Sequence, residues 1–282
     1  MQDEQAVRER TVRPFRVALA AAIVLSVLTV PIGWALAGEK TGGSAGAATA
    51  LQPGIGAPDR RIRVDPDVVP WRAVGKLQAV TMSLRESCTA TLVGPSTVVT
   101  AAHCVLNRLT QRNFPPGSLH FLVGYNSGRY AGHAIGVKVK IADGYNSNRP
   151  NETIGSDWAL VTLDNSLGSA DRILPMLGDM PENGAKVMLG GYQKDYPLVL
   201  MADTQCRIVA RFVDPSGRLL LRHNCAGTNG VSGAPLLIHR DNQWQVAAIA
   251  VAEATDTVDG AAVVLDHALK TFSEEGEPPA GD

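Results

Sequence analysis

A succession of short apolar and β-branched runs, each ended by a turn, limits this chain to an all-β architecture. The runs fall at 74–84, 89–93, 97–101, 119–124, 134–142 and 158–163. A second set falls at 186–192, 198–201, 207–213, 218–222, 234–239, 244–252 and 261–265. Clusters such as Pro115-Pro116-Gly117 and Asp214-Pro215-Ser216-Gly217 separate them. Many short strands punctuated in this way read as a sandwich or a barrel. Two sets joined near 165–185 suggest two barrels, one about 72–165 and the other about 180–266. Only 266–273 reads as a helix, and 276–282 reads as a frayed tail. A chain of 282 residues has room for one large β domain or two small ones, and its 28 glycines suit many turns. The formal charge of −1 gives nucleic acid no bulk attraction.

The N-terminus carries a different signal. Arg8, Arg10, Arg13 and Arg16 precede an apolar stretch over 17–37, which ends Ala35-Leu36-Ala37. A basic flank, an apolar run and a small-x-small end are the marks of an export signal. The stretch is also as long as a membrane-spanning helix, about 20 residues, so a retained anchor stands beside the cleaved signal. Either way the body of the protein lies outside the cytoplasm, secreted or periplasmic, and meets a membrane only if 17–37 is uncut. Residues 38–58, rich in Gly, Ala, Ser and Thr, read as a flexible linker or propeptide. The folded domain is expected over 59–275. Four cysteines in an exported chain suit two disulfides, while free thiols or zinc are the rivals. No C-x-x-C or H-E-x-x-H pattern supports zinc, so no metal or other cofactor is expected.

Three stretches carry candidate chemistry. Residues 227–235, G-T-N-G-V-S-G-A-P, set Ser232 between Gly230 and Gly233 in a tight polar turn. Glycines let such a turn aim its amides inward, although glycine-rich surface turns are also common. Thr100-Ala101-Ala102-His103-Cys104 follows one β-branched run, and Ser156-Asp157-Trp158-Ala159-Leu160 opens another. Read in order the chain offers a histidine, an aspartate and a serine. Asp143 and Asp164 compete for the aspartate role, but only Asp157 sits at a strand start. His120, His133, His223, His239 and His267 have no comparable setting.

In these stretches and their order the chain resembles the chymotrypsin-fold serine proteases. The segments around Val69-Pro70-Trp71 and Gly190-Gly191-Tyr192 look like the glutamyl-endopeptidase-like branch. The resemblance implies two six-stranded antiparallel β-barrels with a short C-terminal helix. It implies a serine endopeptidase with His103, Asp157 and Ser232 as its triad, and the amides of Gly230 and Ser232 as its oxyanion hole. It further implies bridges Cys88–Cys104 and Cys206–Cys225, and a peptide or protein substrate met by a monomer. In that branch a free hydrophobic N-terminus can help order the substrate pocket, which makes Ile55 a candidate processed terminus beside its reading as an ordinary linker residue.

Two departures accompany the resemblance. Many members carry Asp immediately before the nucleophile, to pair with a new N-terminus. Here the position is Val231, so that ion pair is not available. Glutamyl-specific members place a histidine where this chain has Ala250 in Val246-Ala247-Ala248-Ile249-Ala250, so glutamate preference is not carried over. Gly227, Ala250 and Ala252 suggest a pocket for an apolar side chain, whereas Glu253 suggests a basic one. A catalytically silent relative acting as a binding module is the alternative function, because a fold alone does not guarantee chemistry. An α/β esterase fits poorly: it needs G-x-S-x-G and the chain order Ser, Asp, His.

Overall fold

The computed structural model describes residues 53–254 and 257–265. The expected export stretch, most of the expected linker and the expected C-terminal helix and tail lie outside these residues. Among the described residues no helix is long and apolar enough to cross a membrane. Helical structure there consists of 3-10 turns of three or four residues.

A two-residue strand, β1 (Ile62–Arg63), comes first. It is followed by β2 (Val74–Val80), β3 (Arg85–Gly94), β4 (Thr97–Thr100), the short β5 (Leu106–Asn107) and β6 (Arg112–Asn113), β7 (Leu119–Val123), β8 (Gly132–Ile141) and β9 (Ala159–Leu163). Apart from β1, β5 and β6, these strands close an antiparallel barrel in the order β2-β3-β4-β9-β8-β7. The period-2 logic of a strand is plain in β7, where Leu119, Phe121 and Val123 are wholly buried and His120 and Leu122 are only partly so. Phe121 fits because its ring occupies the space a side chain at Gly75 would need, 2.3 Å from that virtual Cβ.

The second half contributes β10 (Lys186–Gln193), β11 (Tyr196–Val213), β12 (Leu219–His223), β13 (Pro235–Arg240), β14 (Gln243–Glu253) and β15 (Gly260–Val263). They pair in the order β11-β10-β13-β14-β15-β12, and β12 returns to β11 to complete a second ring, with β1 added on β11. The two runs expected at 198–201 and 207–213 are thus one 18-residue strand. Asp203 interrupts the apolar pattern without interrupting the strand. Its buried carboxylate accepts from Arg60 at 2.9 Å, from the Gln205 N–H at 3.0 Å and from the Ala226 N–H at 2.9 Å, which removes the cost of burying it.

One apolar core holds Leu77, Leu92, Phe121 and Leu160 of the first barrel and runs on to Tyr192, Leu200 and Val251 of the second. A smaller core of Leu189, Ile208, Leu221 and Leu236 fills the second barrel. Each such side chain contributes roughly 1.5–3 kcal/mol by leaving water. Two cross-links, Cys88–Cys104 and Cys206–Cys225, pair the cysteines as the resemblance implied. The first ties β3 to the 3-10 turn that carries His103, and the second ties β11 to the segment leading to Ser232.

Candidate active site

His103 leaves the first barrel at the end of β4, in the turn Ala102–Val105, with its side chain 15% exposed. Asp157 follows a 3-10 turn, Ile154–Ser156, two residues before β9, rather than opening the strand itself. Its Oδ1 accepts the His103 backbone N–H at 2.9 Å, and its Oδ2 lies 2.7 Å from His103 Nδ1. Of the rival aspartates, Asp164 spends its Oδ1 on the Ile135 N–H at 2.9 Å, while Asp143 is exposed, with its backbone carbonyl accepting from Arg218 at 2.9 Å.

The serine turn is two consecutive turns. Val231 N–H donates to Thr228 O at 3.0 Å, and Ala234 N–H donates to Val231 O at 2.8 Å. Each has glycine in its third place, Gly230 with φ +97° and Gly233 with φ +80°. A left-handed third residue after a residue with negative φ is the type II pattern, and glycine takes it without steric cost. The Asn229 carbonyl is held by the Lys194 N–H at 2.6 Å. Because a trans peptide points its N–H opposite its C=O, the Gly230 amide is turned away from Lys194.

Thr89 of β3 joins this turn to the first barrel, and nothing in its sequence neighbourhood signals it. Its N–H donates to Ser232 O at 3.0 Å. Its hydroxyl donates to Gly230 O at 3.1 Å and accepts the Tyr192 N–H at 2.9 Å. Asp214 is a second unanticipated residue: its Oδ2 accepts the Gly155 N–H at 2.8 Å and anchors the turn before Asp157.

His103 and Ser232 line one cleft of about 410 Å³ together with Cys88, Gln193, Lys194 and Gly230. An adjoining cleft of about 280 Å³ is lined by His103, Asp157, Tyr145, Val251 and Ala252. The donor atoms of Cys88, His103 and Cys104 lie within 4.8 Å of one another, but both sulfurs are spent in a disulfide and offer no thiolate to a metal.

The expected pocket residues differ in exposure. Ala252 is exposed, whereas Ala250 is wholly buried, its N–H and C=O taken by Ala234 and Gly233. Glu253 packs its carboxyl against Gly227 and Gly260, 4.0 Å from His223 Nε2. Neither Glu253 oxygen has a hydrogen-bond partner among the described residues. Burial and the nearby Asp259 push its pKa well up, and burial pushes that of His223 down to about 4. Ile55, the candidate terminus, is buried beside this cluster, where Gly54 O accepts the Gly227 N–H at 3.0 Å.

A solved structure of a Glu endopeptidase is similar over 78% of this chain and 98% of its own, at 19% identity and a TM-score of 0.63, and so shares its fold. No curated protein sequence matches the chain. The family model described as Trypsin matches residues 64–264, most of the chain and both rings of strands. With that match over the two barrels, the chain belongs to the trypsin family of serine endopeptidases.

Proposed function

We propose that this chain is an exported endopeptidase that cleaves peptide bonds through an acyl-enzyme, with Ser232 as nucleophile, His103 as general base and acid, and Asp157 as the partner of the imidazole. The observation that carries the reading is the 2.7 Å contact between Asp157 Oδ2 and His103 Nδ1 on a ring that lines the same cleft as Ser232. A carboxylate only accepts, so Nδ1 carries the proton and Nε2 keeps its lone pair for the serine hydroxyl. Ser232 Oγ attacks the carbonyl carbon as its proton passes to Nε2. The oxyanion forms against the amides of Gly230 and Ser232, the first of them fixed in direction by the Asn229–Lys194 bond. Collapse expels the amine, which takes the proton from Nε2. Water then repeats the sequence on the ester and restores the serine.

Residues 17–37 export the domain, either as a cleaved signal or as an anchor, and the two disulfides suit that destination. The folded enzyme acts as a monomer on peptide or protein substrates, without nucleic acid or cofactor. Gly227, Ala252 and Glu253 border its specificity pocket, with Ala250 behind them. The test is His103→Ala in the folded domain, assayed on a mixed fluorogenic peptide library. Loss of turnover with unchanged unfolding temperature supports the assignment, and undiminished turnover removes His103 from it.

A further inference from the structure

We infer that Arg61 is a positioning residue for the oxyanion hole, acting through Gln193 and the β10–β11 hairpin. The inference rests on the proposed assignment of Gly230 and Ser232 as the amides that meet the oxyanion. The Arg61 side chain is 1% exposed, and all five of its N–H donors are used. Nε donates to Asp59 Oδ1 at 3.0 Å, and one Nη2 bond goes to Asp59 Oδ2 at 2.9 Å. The other Nη2 bond reaches Asp195 Oδ2 at 2.6 Å, while Nη1 donates to Asp195 Oδ1 at 3.1 Å and to Gln193 Oε1 at 2.6 Å.

That last bond leads toward the site. Gln193 is 1% exposed, and the same Oε1 accepts the Thr228 N–H at 2.9 Å. Thr228 opens the type II turn whose third residue is Gly230. The neighbouring Lys194 N–H holds the Asn229 carbonyl at 2.6 Å, which sets the direction of the Gly230 amide. Gly230 also packs directly on the hairpin, its virtual Cβ only 2.6 Å from Tyr192 O. The hairpin residues on both sides of Lys194, Gln193 and Asp195, are therefore pinned by one guanidinium, and Lys194 cannot shift without breaking those bonds. The Asn229–Gly230 peptide is the one that rotates if a type II turn relaxes to type I, which would turn the Gly230 amide away from the oxyanion. Val231 supplies no carboxylate to hold the turn from within, and Arg61 holds it from outside.

A guanidinium is required rather than a positive charge. Lysine offers three donors on a flexible stem and cannot span two carboxylates and an amide oxygen in one plane. The test compares wild type with Arg61→Lys, Arg61→Ala and Gln193→Met by steady-state kinetics and by inhibition with a peptide trifluoromethyl ketone, whose adduct places an oxyanion in the hole. Each variant is expected to lose kcat on the order of 10²-fold, with KM within about threefold and inhibitor affinity falling in step with kcat/KM. Added guanidinium ion should restore part of the kcat of Arg61→Ala and none of that of Gln193→Met. Should the Arg61 variants fail to fold, Gln193→Met decides alone, since it leaves every Arg61–carboxylate bond in place. Folded variants with kcat within threefold of wild type overturn the inference. A wild type that turns over no peptide overturns the protease reading instead.

Discussion

Asp157 holds His103 at two points, one carboxylate oxygen on the backbone N–H at 2.9 Å and the other at ring Nδ1 at 2.7 Å. The backbone bond fixes where the turn sits, and the ring bond fixes which nitrogen faces the cleft. Losing only the second should be far worse for chemistry than for stability.

Asp157→Asn separates the two. The amide keeps an oxygen for one contact but presents N–H where the ring needs an acceptor, so the imidazole adopts the wrong tautomer. Turnover should fall about 10⁴-fold while the unfolding temperature moves little. Steady-state kinetics beside a thermal melt will check it.

Thr89→Val keeps the shape of the residue and removes its hydroxyl. Gly230 O and the Tyr192 N–H then lose a buried partner, at about 1–3 kcal/mol of stability. Because the first of these belongs to the serine turn, kcat should drop by more than about tenfold, a loss that a distant core change of equal cost would not produce. Denaturant unfolding and kinetics on the same samples distinguish the two.

Gly233→Ala should cost about 3 kcal/mol or more. Its φ is +80°, and an added Cβ would lie 2.2 Å from Thr100 Oγ1 and 2.3 Å from Thr89 O. Gly178→Ala is the control, since nothing lies within 4 Å of its virtual Cβ and its φ is not positive. Chemical denaturation of the two variants should separate them clearly.

Glu253 and His223 predict how stability responds to pH. Burial pushes the Glu253 pKa well above 4.5, so above that value the unfolded chain releases a proton that the folded one keeps, and stability falls as pH rises. His223 is pushed from 6.5 down to about 4, so the unfolded chain binds the extra proton between those values, and stability rises with pH there. The two oppose each other between about pH 4.5 and 6.5, and above 6.5 Glu253 acts alone. Glu253→Gln should therefore gain on wild type as pH rises above 6.5, for as long as the folded carboxyl keeps its proton, by up to about 1.4 kcal/mol per pH unit. Urea unfolding at a series of pH values will show a constant difference instead if the carboxyl is ionised in the folded state.

The strands were legible because alternation and turn residues are local signals, as in Leu119, Phe121 and Val123 against His120 and Leu122. The sequence splits β11 into two runs because Asp203 sits mid-strand, and what satisfies it, Arg60 and the Ala226 N–H, comes from elsewhere along the chain. His103, Asp157 and Ser232 stood out through their neighbours and their order. Thr89, Gln193 and Arg61 did not. Arg61 meets Gln193 across 132 positions and Thr89 meets Gly230 across 141, and a threonine in a strand or an arginine after a linker looks ordinary until the fold joins them. The pocket is harder to read for a related reason. Small residues at 227, 250 and 252 suggest open space, yet Ala250 is sealed by backbone bonds and the Glu253 side chain packs against Gly227.

The most direct measurement is a fluorophosphonate label on the folded domain, located by peptide mass mapping, in wild type and in Asp157→Asn. A single adduct on Ser232, formed quickly by the wild type and orders of magnitude more slowly by the variant, is the predicted result. A folded wild type left unlabelled at Ser232, or labelled no faster than Asp157→Asn, would contradict it.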